Sequence, residues 1–267
     1  MVKRIHLALL SLLIFCQACE YKLKPVGDEE RSDRIEVQRY DRLEGRYLMT
    51  GDFSALQQMS TGYPIETRTL IEDVLQLGEV NDPSINSKFL SFYQDTTLQI
   101  VLADVQSQYA NMDDINEQFE KAFMTLKNWL PDMPIPLIYT QIGALNQSVV
   151  VGDQIIGISL DKYLGKNYPI YKRFGYTSRQ LETMQRSHIV PDCLSFYLLS
   201  LYPMERFDSR SQLEKDLHMG KVMWTVNKAM DNNFFYSEYV MTIDRYMKKH
   251  PKVTVKQLME LDDYSIF

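Results

Sequence analysis

Hydrophobic positions change their period several times along the chain, and each change marks a different kind of element. Ile5–Phe15 is an apolar run broken only by His6 and Ser11, whereas residues 20–34 are rich in charge and have no apolar period. Ile35-Glu36-Val37-Gln38-Arg39-Tyr40 then alternates apolar with polar, which predicts a short strand entering a folded body. Beyond it the spacing becomes helical. Asp52 is placed to cap a helix carrying Phe53, Leu56 and Met59 on one side; Leu70, Ile71, Val74 and Leu75 form a second stripe; and Asp82-Pro83 predicts the start of a third helix with Ile85, Phe89 and Phe92. Two longer helices follow, near Thr96–Tyr109 and Asp113–Trp129, the second stopped by Pro131 and Pro134.

The period falls to two at Pro136–Ile142, Gln147–Val151 and Gln154–Leu160, three short runs rich in Ile and Val, with Gly152-Asp153 between the last two as in a tight hairpin. This predicts a small antiparallel three-stranded β-meander. Helical spacing returns at Thr177–Gln185, Pro191–Leu201, Ser209–Met230, Tyr236–Lys249 and Val255–Leu261. The expected fold class is therefore α+β, mainly helical, with one domain at 35–267 whose sheet lies between N-terminal and C-terminal helices.

The two segments ahead of that domain read as an export address and a tether. Lys3 and Arg4 precede the apolar run, which is too short to span a bilayer. Phe15-Cys16-Gln17-Ala18-Cys19 then offers small Ala18 before a cut and the Cys19 thiol as the new N-terminus, the nucleophile that takes a lipid thioether. A cut before Cys16 would put bulky Phe15 at the cleavage position. Cys16 and Cys19 also have Cys-x-x-Cys spacing, but they lie in an apolar leader and no second pair follows. The expectation is a lipoprotein signal peptide at 1–18, lipid on Cys19 and a tether at 19–34, anchored to a membrane in the cell envelope, on its outer-membrane or periplasm-facing side.

Charge and cysteine usage narrow the rest. The full chain carries −6, and loss of Lys3 and Arg4 makes it two charges more negative, which argues against a nucleic-acid partner. Cleavage leaves Cys193 as the one cysteine besides Cys19, so no internal disulfide is expected and stability must come from a core. At 45% hydrophobic and 12% aromatic, the composition can supply one.

Candidate chemistry is sparse. Neither phosphate-binding glycine loop is present, nor a Gly-x-Ser-x-Gly elbow, nor His-Glu-x-x-His. The nearest imitation of a zinc helix is His188-Ile189-Val190-Pro191-Asp192, where Pro191 disfavours one continuous helix through both polar residues. The simpler reading starts a helix at Pro191, with Asp192 in its first turn and His188 on the loop before it. Cys193, followed by Leu194, Phe196, Leu198 and Leu199, reads as a buried thiol rather than a nucleophile. Clusters of exposed aromatic side chains would point instead to carbohydrate or peptide capture.

Leu160-Asp161-Lys162-Tyr163-Leu164-Gly165, followed by Tyr168-Pro169-Ile170-Tyr171, is the stretch by which the chain resembles the gliding motility lipoprotein GldB family of Bacteroidota. Arg39-Tyr40-Asp41, Tyr63-Pro64, Trp129-Leu130-Pro131 and Gly220-Lys221 match in order, while Ser159 stands where the family often has glycine. The resemblance implies an envelope lipoprotein tied to gliding machinery or a related envelope task, with other envelope proteins as partners, no cofactor beyond the lipid on Cys19, and Asp161 and Tyr163 as candidate functional residues. The element also has a structural account, in which Leu160 and Leu164 pack inward, Asp161 caps the turn after the strand and Gly165 supplies a positive backbone angle. A small sheet followed by a helix also looks like predicted zinc proteases related to the family. The leading expectation is a non-enzymatic component; the alternative is a zinc-dependent hydrolase or degenerate metalloprotease-like protein using His188 and Asp192.

Overall fold

The computed structural model of the chain describes Ile35–Phe267. The expected leader, lipid site and tether lie outside the described residues. Helices α1 (Tyr40–Thr50), α2 (Phe53–Gly62) and α3 (Pro64–Arg68, continued by a π-helical turn at Thr69–Val74) are followed by α4 (Ile85–Phe92), α5 (Thr96–Gln108) and α6 (Asp113–Trp129). Side-chain caps start several of them: Asp52 accepts from the Ser54 N–H, and Asp95 from those of Thr97 and Leu98. Each such cap is worth about 1 kcal/mol. Phe53 departs from expectation, since it is 74% exposed while Ala55, Leu56 and Met59 form the buried side of α2.

Strands β1 (Leu137–Gln141), β2 (Val149–Gly152) and β3 (Ile155–Ser159) form the sheet in the order β1-β3-β2. The β2–β3 hairpin is antiparallel as expected, but β1 pairs with β3 in parallel, so the predicted antiparallel meander is corrected to a mixed sheet. The reason lies in the segment between β1 and β2: it is gathered onto Asp161 rather than closed as a tight turn, and it carries the chain past β3 to the far edge. The predicted strand at Ile35–Tyr40 shrinks to a single parallel bridge, Gln38 to Tyr139, on the other edge of β1.

The second helical half comprises α7 (Pro169–Arg173), α8 (Ser178–Thr183), α9 (Ile189–Leu201), α10 (Gln212–Ala229), α11 (Glu238–Lys249) and α12 (Val255–Glu260). Serine or threonine starts three of these with a capping box, at Thr177, Ser211 and Thr254. Helices α10 and α11 approach closely at Gly220, where an added Cβ would lie 2.9 Å from that of Tyr239. Beside it, buried Lys221 donates to the Leu261 carbonyl at 2.5 Å, just past the end of α12, and lies 4.9 Å from the Tyr264 ring. The Gly220-Lys221 pair is thus accounted for by helix packing and by carbonyl capping.

Eight of the largest fully buried side chains are tyrosines, and a buried phenol needs a partner for its hydroxyl. Seven of the eight donate to another element or loop: Tyr40 to Thr67, Tyr47 to the Asn86 carbonyl, Tyr93 to Ile142, Tyr109 to Tyr163, Tyr163 to Asp192, Tyr171 to Asp161 and Tyr197 to Pro134. The core is stitched by phenols as well as packed. Among the described residues no helix is long and apolar enough to cross a membrane.

Candidate functional site

Several buried polar residues, among them Asp41, Glu44, Thr140 and Asp161, converge where β1 and β3 end. On α1, Asp41 and Glu44 are three residues apart and therefore share a face, which is buried against this end of the sheet. Arg39 grips Asp41 through two 2.8 Å hydrogen bonds, and the Thr140 hydroxyl donates to the same carboxylate. Glu44 accepts the Ile142 N–H at 2.8 Å, and its other oxygen has no partner. Burial pushes the Glu44 carboxyl well up; the Ile142 N–H opposes this, and the charges of Asp161 and Asp41 reinforce it.

Asp161 sits in the 3-10 turn Leu160–Tyr163 that follows β3 and is fully buried. Contrary to the expectation, it does not cap the turn after its own strand. Its two oxygens reach across to the loop after β1, accepting from Gly143 N–H at 2.9 Å and Leu145 N–H at 2.5 Å. Ala144 and Leu145 have positive φ, and this turn of the backbone brings both N–H groups to one side chain. Leu160 and Leu164 are buried and Gly165 has φ +112°, as expected. The Tyr171 hydroxyl locks the element by donating to the Asp161 carbonyl and accepting from the Leu164 N–H. Burial raises the Asp161 carboxyl, and the two backbone donors and Lys162 hold the rise back.

Next to this cradle lies a small cavity of about 170 Å³ with Tyr163, Asp192, Lys162 and Tyr176 in its wall. The Tyr163 hydroxyl donates to Asp192 Oδ2 at 3.0 Å. Lys162 donates to Tyr176 Oη at 2.7 Å and to the Leu145 carbonyl, which Tyr176 also reaches. Burial pushes the Asp192 carboxyl up to about 7, opposed by Tyr163 alone, and the same burial, with the neighbouring Asp192 charge, pushes the Tyr163 phenol well above its usual range. The corner therefore presents a carboxyl raised to about 7 beside a phenol that stays protonated, both in the wall of a cavity. Cys193, next to Asp192 in the chain, is fully buried, and desolvation raises its thiol well above the usual range, so it is not an activated nucleophile.

Of the residues singled out in the sequence, Asp161, Tyr163 and Asp192 are brought together, and His188 is not. His188 precedes α9, its ring packs against Phe234 with centroids 5.9 Å apart, and it is absent from the cavity wall. Helix α9 starts at Ile189, two residues before the expected Pro191, because a first-turn proline loses no hydrogen bond. Among the described residues no group of three or more His, Cys, Asp or Glu side chains is placed to hold a metal ion, so the zinc alternative built on His188 and Asp192 lacks its ligand set. Glu44, Lys162 and Tyr176 join the site without having been expected there. Two of them carry a signal in the sequence, Lys162 by lying within the Leu160–Gly165 element and Glu44 by its spacing three residues after Asp41.

Comparison with known proteins places this constellation within a described family. The model of a family described as gliding motility protein GldB matches residues 24–234. No curated protein and no solved structure matches the chain.

Proposed function

The chain belongs to the gliding motility protein GldB family, and on that premise we propose that it is an envelope lipoprotein, held to a membrane by lipid on Cys19, that acts as a non-enzymatic accessory of the gliding machinery through contacts with other envelope proteins. The family match over residues 24–234 carries the reading. The basic start, apolar run and Ala18-Cys19 junction support the anchor. Two of the buried acids are used as structural ties, which supports a non-catalytic role for them: Asp41 is tied to Arg39 and Thr140, and Asp161 to two backbone N–H groups. A carboxylate engaged in this way is not free to exchange protons with a substrate.

Metabolic labelling with a clickable palmitate analogue, followed by membrane fractionation, tests the anchor. Wild-type chain takes up label and sediments with membranes, whereas Cys19→Ala does neither; labelled or membrane-bound Cys19→Ala overturns it. Affinity capture from detergent-solubilised membranes tests the accessory role. One reproducible set of envelope proteins, cross-linked to the wild-type chain in cells, is the expected result. Turnover of a substrate by the purified chain, with no such partner, rules the role out.

A further inference from the structure

A larger cavity lies away from the sheet end, between α10, α11 and the loop that joins them, with a volume of about 340 Å³. That is within the range of small-ligand sites, about 300–1,000 Å³. Six of its ten wall residues follow residue 234, where the family match ends, so the site belongs largely to the part of this chain outside that match. One aromatic face is offered openly: Tyr236 is 81% exposed at the rim, with Met241 exposed beside it, while Trp224 lines the wall as a largely buried ring. The wall is also fixed in place, because Asn227 uses both ends of its amide on the Phe235 backbone, at 2.7 and 3.0 Å. A preformed wall spares a ligand the cost of ordering it.

The polar groups are mostly donors. Asp244 accepts from Trp224 Nε1 at 3.0 Å and is paired with Lys228 at 3.1 Å and Lys248 at 2.6 Å. Lys248 first, then Trp224 and Lys228, hold its carboxyl far below the usual range. Two ammonium groups share this one carboxylate, which leaves a net positive charge in the wall of a chain whose overall charge is −6. A ligand matched to this wall has an apolar face for Tyr236 and acceptor or anionic groups for the lysines and the Asn233 amide. Sugar rings offer C–H faces that stack on aromatic rings, and uronic acids add the carboxylate. No β-strand borders the cavity, so an extended peptide has no edge to join.

We propose that this cavity binds a carboxylated saccharide, stacked on Tyr236 and held by Lys228 and Lys248. Isothermal titration of the full-length chain in detergent with trigalacturonate tests it, with maltotriose and triglutamate as probes of sugar alone and charge alone. Saturable binding of trigalacturonate is expected, accompanied by a change in tryptophan fluorescence. It should weaken about tenfold in Tyr236→Ala, from loss of the stacking face, and severalfold in Lys248→Ala. Both residues are exposed, so the variants retain the fold, which circular dichroism verifies. The proposal fails if trigalacturonate does not bind, if either variant binds like wild type, or if maltotriose or triglutamate binds as tightly.

Discussion

Asp161 and Asp192 lie at two corners of one polar region, yet the fold treats them in opposite ways. Asp161 is completely buried and receives two backbone N–H groups from the loop after β1. Asp192 borders a cavity and receives one phenol. Burial acts on both; what differs is how many donors answer it, so Asp161 is a fastener of the sheet end while Asp192 is left poised near neutrality. An acid in a core is thus read by its partners before its pKa.

Substitutions separate the two roles, and the largest effect belongs to the fastener. Asp161→Ala strands the Gly143 and Leu145 N–H groups in the interior, and a loss of about 3 kcal/mol or more is expected by chemical denaturation. A loss below about 1 kcal/mol would show that the loop is held by other means. Asp192→Asn should act through pH. A carboxyl raised to about 7 keeps its proton in the folded state through a window where the unfolded chain has released it, so wild-type stability falls as pH rises from about 4 to about 7. The asparagine variant lacks this fall. Measured against wild type, it should gain about 1–3 kcal/mol on going from pH 4 to pH 8, the full linkage being reduced by solvent at the cavity. Parallel stability curves for the two chains would place Asp192 with Asp161. Tyr163→Phe has the smallest expected effect, about 1 kcal/mol from one lost hydrogen bond, and it should also move the pH window upward. A downward movement in the same titration would mean that the phenol does not support the carboxylate.

Much of this architecture was legible in the chain. The helix at Asp113–Trp129 follows from its apolar face and prolines, the β2–β3 hairpin from alternation, and the capped start of α2 from Asp52. Pairing direction was not, because alternation gives the faces of a strand but not its neighbour, and the order β1-β3-β2 depends on a contact between Asp161 and a loop far from it in sequence. At the candidate site, the Leu160–Gly165 element was legible as a unit, including the left-handed Gly165. Its link to Asp192 was not, since Tyr163 meets α9 only after the sheet has formed. Glu44 was hidden for a related reason: a carboxylate within a helix reads as solvent-facing until the sheet end with its N–H groups is set against it.

The bridge at Gln38 has a mechanical meaning. Tension entering the body ahead of Ile35 meets the Gln38–β1 hydrogen bonds, 2.8 Å to the Ile138 carbonyl and 2.9 Å from the Thr140 N–H, together with the Val37 N–H on Asn116. Because the bridge is parallel, a pull along that segment loads these bonds side by side in shear rather than opening them one after another, and Arg39 on Asp41 stands directly behind them. Pulling single molecules through residue 35 should therefore give a force peak before any helix unravels, and Asn116→Ala should lower it. An unchanged peak in that variant would move the load-bearing point off this edge of the sheet.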